Sequence, residues 1–149
     1  MLILGLNMFH ADASAAIIQD GKVLFAIAEE RLNRVKHYAG FPALAIQACL
    51  DAAGAKIHDI DHVAVGQDTD ANLQKKVRYA LANPAKLLNF IRLRRRKEEM
   101  RDVRALIAKS LDCGPEKLRF KEYRLEHHIA HIASAFYSSP WEQIGRAHV

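Results

Sequence analysis

The sequence predicts an α/β fold whose chain opens in the order β-β-β-α-β. Three short apolar runs have the length of buried strands and lie at 2–6, 14–18 and 22–28. Asp20-Gly21, between the second and third runs, is a strong signal for a two-residue hairpin. Apolar residues then recur at helical spacing after Pro42 and stop at Gly54, which predicts a helix.

The elements that complete this opening follow from local signals. Asn7 and a polar loop follow the first run, as expected for a buried strand that delivers a loop at its carboxyl end. The helix carries its apolar residues at Ala45, Ile46, Cys49, Leu50 and Ala53, with Pro42 at the expected first helical position. A short strand at 62–66 follows an acidic turn, and a polar connection begins at Asp68.

The middle of the chain, about 71–112, is predicted to be a mostly helical insertion. Asn83-Pro84 breaks it into two segments and Cys113-Gly114-Pro115 ends it. A short strand at 121–125 and a helix at 129–137 are expected to follow.

Composition is that of a globular chain, with 149 residues, 50% of them hydrophobic and 26% charged. No apolar run approaches the ~20 residues of a membrane helix, and the apolar start lacks a basic leader, so we expect a cytoplasmic protein without a membrane partner. Cys49 and Cys113 have no paired spacing, which predicts two reduced, buried thiols.

The net charge of +5 and the pI of about 9.4 arise mostly from one stretch, 92–104. Its basic residues are Arg92, Arg94, Arg95, Arg96, Lys97, Arg101 and Arg104. The stretch can be a solvated helical face or a patch that binds RNA or phosphate. Because no aromatic residues interleave with the arginines for base stacking, the solvated face is favoured and a nucleic-acid partner is not expected.

The last six residues, 144–149, match the translation of a common short-read sequencing adapter, and we exclude them from the fold prediction. An ordinary native continuation is the alternative. If the last six residues come from the adapter, native sequence stops at about Gln143, and we expect 1–143 to be one part of a larger domain.

The sharpest chemical motif is Glu126-His127-His128-Ile129-Ala130-His131. On a helix, His127 and His131 share one face and can bind one divalent metal, whereas His128 points about 100° away and could contact substrate. Alternatively, the three histidines are caps or partly buried polar residues. Two ligands are too few for a stable site, and no third is evident nearby in the sequence.

Two further stretches carry candidate residues. In the loop after the first strand, His10 could act as a general base and Asp12 could position a nucleophile or a metal-bound water, or Asp12 could simply cap a turn. Four cationic side chains follow the third strand, and they suit an anionic substrate such as a phosphate. The alternative is a solvated turn in which the adjacent glutamates neutralise their charge. The four side chains are Arg31, Arg34, Lys36 and His37.

The order and spelling of these motifs resemble the N-terminal part of the NodU/CmcH family of carbamoyltransferases, to which tobramycin carbamoyltransferase belongs. The resemblance rests on LGLNMFHADASAAIIQDGKVLFAIAEERLNRVKHYAGFP at 4–42 and EHHIAHIASAFYSSPWEQ at 126–143. It covers 2–68 and 123–143, and the middle segment is not distinctive.

The resemblance implies an actin-like ATPase fold of the Hsp70/sugar-kinase type, of which this chain is a part, and a YrdC-like second domain. It implies that carbamoyl phosphate and ATP give carbamoyl-adenylate, from which the first domain transfers the carbamoyl group to a hydroxyl of a small metabolite.

Residue by residue, the resemblance assigns a divalent metal to His127 and His131, Fe²⁺ first and Zn²⁺ or Mn²⁺ as alternatives. The third ligand would be an aspartate in the later half of the domain. His10 matches the loop histidine that deprotonates the acceptor, although Ala11 separates it from Asp12 here. Lys36 and His37, with Arg34, match an Arg-x-Lys-His stretch expected in the acyl-adenylate or acceptor pocket.

Two other hypotheses remain open. A relative of tRNA threonylcarbamoyl transferases would explain the basic stretch but not the HHIAH and EERLNRVKH spellings. A non-catalytic fragment would make the histidines structural and predicts no dependence on metal. Under every hypothesis we expect the 149-residue chain by itself to be inactive.

Overall fold

The computed structural model describes residues 1–67 and 102–140, together with Arg78. These residues form one mixed sheet of five strands with helices, so the predicted α/β class is confirmed. The strands lie in the order β3-β2-β1-β4-β5 across the sheet. No helix within the described ranges is long and apolar enough to cross a membrane.

The first three strands form the predicted antiparallel meander. They are β1 (Leu2–Asn7), β2 (Ser14–Gln19) and β3 (Lys22–Ala28). Asp20 and Gly21 both have positive φ, at 49° and 81°, which is the conformation that a tight hairpin turn needs and that Asp-Gly supplies at low cost. The hairpin prediction is confirmed.

Two helices follow the meander, α1 (Glu30–Asn33) and α2 (Ala43–Ala53). The sequence predicted only a polar stretch where α1 lies; a single turn is too short to show helical periodicity. Helix α2 was predicted, but Pro42 precedes its first residue instead of occupying it. Gly54 ends α2 in the left-handed conformation and donates its N–H to carbonyls of the last turn.

The second half of the sheet is parallel. Strand β4 (His62–Val65) pairs with β1, and β5 (Lys121–Arg124) pairs with β4, as the two predicted short strands allow. Helix α3 (Val103–Ser110) precedes β5, and helix α4 (His127–Tyr137) follows it, two residues earlier than its predicted start.

Several predictions fall outside the described residues. They concern the connection at 68–70, the insertion from 71 to 101 with its Asn83-Pro84 break and most of its basic stretch, and the adapter-like end at 144–149. Helix α3 agrees with the helical character predicted for the end of the insertion.

A single core lies where α2 and α3 cover the sheet. The fully buried side chains include Leu4, Ile17, Ile46, Cys49, Val63, Val65, Val103, Ile107 and Phe120. The prediction of two buried thiols was correct for Cys49 and wrong for Cys113, which is only partly buried. Cys113 lies just beyond α3, in the turn that leads to β5, where the chain reaches the edge of the core.

The parallel pairing decides where a site can form. Strands β1, β4 and β5 end at the same edge of the sheet, at Asn7, Val65 and Arg124. Loops that leave the carboxyl ends of neighbouring parallel strands meet in one crevice, which is the usual ligand site of open α/β sheets. The loop at 8–13 and the start of α4 are therefore brought together.

Candidate functional site

The carboxyl edge of the sheet brings His10 next to His127. His10 belongs to the loop after β1 and His127 is the first residue of α4, yet their ring centroids are 5.1 Å apart. Helix α4 passes close to the chain just after β4, since a Cβ added at Gly66 would lie 4.0 Å from Cβ of Ala130, an ordinary contact distance. Two motifs from opposite ends of the chain thus share one crevice.

Within α4, His127 and His131 face each other across one helical turn. Their Nε2 atoms are 3.1 Å apart and their rings are nearly perpendicular, at 85°. Ligand atoms of a tetrahedral zinc site, each about 2.0–2.1 Å from the metal, are separated by a similar distance. The two imidazoles therefore present donor atoms as a chelating pair would.

No third ligand joins this pair among the described residues. The one group of three metal-competent side chains found there is Asp12, Glu30 and His37, whose ligand atoms all lie within 4.8 Å of one another. His127 and His131 by themselves supply two donors, as the sequence indicated, and the ring of His10 lies next to that of His127.

His128 lies apart from this pair. Its Nδ1 is 2.7 Å from Oε1 of Glu126, while the other carboxylate oxygen of Glu126 accepts the N–H of Ile129 and caps α4. These contacts with His128 and with the helix backbone lower the pKa of Glu126. The carboxylate thus stabilises the helix start that carries the histidines.

A second cluster joins the loop after β1 to the segment after α1. Oδ1 of Asp12 lies 3.0 Å from Nδ1 of His37. The backbone N–H of His37 donates to Oε2 of Glu30 at 3.1 Å, so the imidazole is held through both its side chain and its backbone. The sequence identified Asp12 and His37 separately, and it indicated Glu30 only as one of two glutamates in a charged turn. It did not indicate the contact between Asp12 and His37.

The backbone around this cluster is unusual. Phe9, Asp12, Arg34 and His37 all have φ between 54° and 63°, a conformation that costs free energy for residues other than glycine. Hydrogen bonds hold the loops there, because the N–H of Phe9 donates to the Gly40 carbonyl and the Asn7 side chain donates to the Asp12 carbonyl.

The remaining predicted cations lie at the surface. Arg34 ends α1, and Lys36 precedes His37 in the same exposed segment. Neither makes an ion pair with another residue in 1–67 or 102–140. Their charges are therefore available to an anion that approaches the Asp12–His37 cluster.

Glu29 is a buried carboxylate that the sequence analysis had noted only as part of a charged turn. Its side chain is 3% exposed and accepts the N–H groups of Leu44 and Ala45, the first turn of α2. Its own N–H donates to the carbonyl of Ala13. Glu29 is thus a distant cap that ties the end of β3 to both the loop after β1 and the helix.

Together these features define a mixed α/β domain that gathers histidines and carboxylates at the carboxyl ends of its parallel strands. The chain matches the family model described as "Carbamoyltransferase N-terminus" over residues 2–148. The chain therefore belongs to this carbamoyltransferase family, in agreement with the resemblance drawn from its motifs.

Several proteins are similar to the chain over nearly its whole length. It is 33% identical over 147 residues to Nodulation protein NolNO of Sinorhizobium fredii, covering 92% of this chain and 19% of that protein. It is 31% identical over 147 residues to Uncharacterized protein sll1178 of Synechocystis, covering 95% and 24%. Nodulation protein U of S. fredii is 27% identical over 147 residues, covering 97% and 25%. The chain thus spans a quarter or less of the length of these relatives.

Proposed function

We propose that the chain is the N-terminal part of an O-carbamoyltransferase domain, which transfers a carbamoyl group to a hydroxyl of a small metabolite. The carbamoyl group would come from carbamoyl phosphate, by way of carbamoyl-adenylate made with ATP. The observation that carries the proposal is the meeting of His10 with the His127–His131 pair, 5.1 Å between the rings of His10 and His127, in a chain of the carbamoyltransferase family. We propose a cytoplasmic enzyme.

The whole domain would have an actin-like ATPase fold, completed by a later half and accompanied by a YrdC-like domain in the same protein. Support comes from the order β-β-β-α-β, with an antiparallel meander followed by parallel strands, and from the position of the site at strand carboxyl ends. The small share of each relative that the chain covers agrees with further domain sequence in the whole protein.

A divalent metal fits the donor atoms of His127 and His131. Their Nε2 atoms are 3.1 Å apart, and imidazole nitrogen suits Fe²⁺, which we propose, as well as Zn²⁺ or Mn²⁺. A third ligand would come from the later half of the domain. When bound, the metal would supply Lewis-acid stabilisation of charge on a carbonyl or phosphate oxygen.

The protein's own groups would surround the carbamoyl donor. His10 and Asp12 are assigned to catalysis, His10 on the side of the histidine pair and Asp12 on the side of the cations. Arg34 and Lys36 would offset the charge that develops on the leaving phosphate group, since cations near a leaving anion lower the barrier to its departure. His37 contributes to the acceptor side of the site.

His128 would assist in substrate binding. Its ring is 85% exposed and held by Glu126, so it presents its free Nε2 next to the histidine pair without joining it. When Nδ1 donates to Glu126, Nε2 of the neutral ring can accept a hydrogen bond from an acceptor hydroxyl, and in the imidazolium it can donate to a phosphate oxygen.

The experiment is an assay of the whole reading frame that contains this chain, supplied with carbamoyl phosphate, ATP and Fe²⁺. Acceptors are hydroxylated metabolites (sugars, aminoglycosides and lipo-oligosaccharides), with transfer RNA as a separate arm. Mass spectrometry should detect one added carbamoyl group on a small acceptor and none on tRNA. Modification of tRNA alone, or of no acceptor, would reject the proposal.

The matched controls are two histidine variants. H127A should abolish transfer, whereas H58N, which changes an exposed histidine beside Asp59 away from the crevice, should leave it unchanged. The 149-residue chain expressed without any further sequence should not transfer the carbamoyl group.

A further inference from the structure

We propose that Asp12 and His37 form a carboxylate–imidazole pair in which His37, rather than His10, takes the proton of the acceptor hydroxyl. Asp12 is the positioning residue of this pair. The inference deepens the proposed carbamoyl transfer and rests on it, but its central geometric claim, the tautomer of His37, can be measured without any activity.

The hydrogen bond between the two side chains determines the tautomer of His37. An ionised carboxylate can only accept a hydrogen bond, and Nδ1 of His37 lies 3.0 Å from Oδ1 of Asp12. In the neutral ring the proton is therefore on Nδ1, which leaves the lone pair on Nε2. A base oriented by a third group in this way is the arrangement that activates hydroxyl nucleophiles in enzymes.

Two contacts hold His37 in place, one made by its ring and one by its backbone. The backbone N–H of His37 donates to Glu30, a carboxylate that is only 24% exposed and sits on α1. Asp12 and His37 both have left-handed backbones, with φ of 63° and 54°, so both members of the pair are kept in a conformation that costs free energy. The Asn7 side chain donates to the carbonyl of Asp12 and helps to hold it there.

Position separates His37 from His10, although both residues are exposed. The side chain of His37 is 79% exposed, so an acceptor molecule can reach its Nε2 from solvent. The ring of His10 is packed against that of His127, on the side of the proposed metal and carbamoyl donor. His37 would thus lie on the solvent side of the crevice, where the acceptor can approach, and His10 would lie on the side of the proposed metal.

The charges around the pair also favour proton transfer from the acceptor hydroxyl to His37. Lys36 and Arg34 precede His37 in the exposed segment, and Arg31 lies 3.8 Å from the other carboxylate oxygen of Glu30. Their positive charge would attract the phosphate group of the donor toward this segment, whereas Asp12 would stabilise the imidazolium that forms when His37 accepts a proton.

The acceptor oxygen forms a bond to the carbamoyl carbon while its proton moves to Nε2 of His37. The bond from that carbon to the phosphate oxygen of the mixed carbamoyl anhydride breaks, and the phosphate group leaves with the electron pair. His37 then returns its proton to solvent.

The first measurement is the tautomer, from a proton–nitrogen correlation spectrum of the imidazole rings of the protein at neutral pH. His37 should carry its proton on Nδ1, and in D12N the proton should move to Nε2 because the amide can donate to Nδ1. A His37 ring protonated on Nε2 in the unsubstituted protein would overturn the proposal.

The second measurement is carbamoyl transfer by variants of the whole reading frame. H37N keeps a donor near the Nδ1 position but lacks the base, and H37A leaves room for added imidazole. We expect both to lower kcat by about 10²- to 10⁴-fold with little change in KM, as for a positioned general base, and imidazole to restore part of the activity of H37A. D12N should lower kcat without such rescue.

The activity assays include one histidine variant outside the site as a control. H58N, in another histidine–aspartate contact, should keep full activity. An H37N variant within a few-fold of the unsubstituted enzyme, or imidazole rescue of H10A in place of H37A, would show that His37 is not the base. If no acceptor is carbamoylated at all, the proposed function fails, and the tautomer still decides whether the pair exists.

Discussion

The Nε2 atoms of His127 and His131 lie 3.1 Å apart across one turn of α4, in the first helix after the last described strand. The i, i+4 spacing places the two histidines on the same face of the helix, because residues four apart lie above one another. Both Nε2 atoms can therefore approach a single metal ion. Helix α4 thus carries a preformed two-donor arrangement before any third ligand is added.

The histidine pair leads to a prediction about metal binding. H131A removes a proposed ligand and should therefore weaken the binding of Fe²⁺ or Zn²⁺. Loss of a residue that only hydrogen-bonds to a ligand lowers metal affinity by ~10–100-fold, and the effect of H131A should be larger than that. Isothermal titration with Zn²⁺ measures the affinity, and H58A serves as the matched histidine control. Equal affinities for H131A and H58A would contradict the proposed ligand role.

Glu29 leads to a prediction about stability. Glu29→Ala leaves the N–H groups of Leu44 and Ala45 without their carboxylate acceptor in a buried setting, so the free energy of unfolding should fall by about 1–3 kcal/mol. Urea denaturation measures the change. Gln47→Ala breaks only an exposed Gln47–Asp51 contact in the same helix and should cost no more than about 0.5 kcal/mol. Similar losses in both variants would refute the capping role of Glu29.

The two thiols should differ in reactivity. Burial raises the pKa of Cys49 to about 11, so almost no thiolate is present at neutral pH, and the side chain is fully enclosed. Cys113 is partly exposed. Iodoacetamide followed by peptide mass spectrometry should therefore modify Cys113 first and Cys49 only in denaturant. Early modification of Cys49 in the C113S variant would contradict this prediction.

The start of α4 should depend on acid. Hydrogen bonds from His128 and from the Ile129 backbone lower the pKa of Glu126 from its ordinary value, so its ionised form is favoured in the folded state. Ionised Glu126 therefore stabilises the folded protein fully above the ordinary pKa of a glutamate. This stabilisation is lost as the pH falls through the lowered pKa of Glu126 in the folded state. E126Q should be less stable than the unsubstituted protein at neutral pH, and this difference should shrink in acid, as thermal unfolding at several pH values would measure.

Local signals were sufficient for most of the fold. The Asp20-Gly21 turn and the Gly54 cap need particular backbone angles that these residue types adopt easily, so the hairpin and α2 could be predicted from the sequence. Helix α1 was missed because a single turn has no detectable period. Sheet order and parallel pairing depend on contacts between distant segments, which no local pattern encodes.

The candidate site was only partly predictable for the same reason. The histidine pair could be expected from spacing within one helix, whereas the Asp12–His37 contact joins residues 25 positions apart and depends on two left-handed backbones. A signal was present, since both motifs follow strands that form one meander. Glu30 could be linked to them only by the structure.

The two clusters at the site depend on different strand pairings. Asp12 and His37 are held by the antiparallel meander and its helices, whereas the contact of His10 with His127 requires β4 and β5 to have joined β1. During folding, the first cluster can therefore assemble before the second, and in evolution either cluster can change while the other is retained. If the first cluster receives the acceptor, as we propose, acceptors could be exchanged by altering one early segment of the chain while the second cluster is kept.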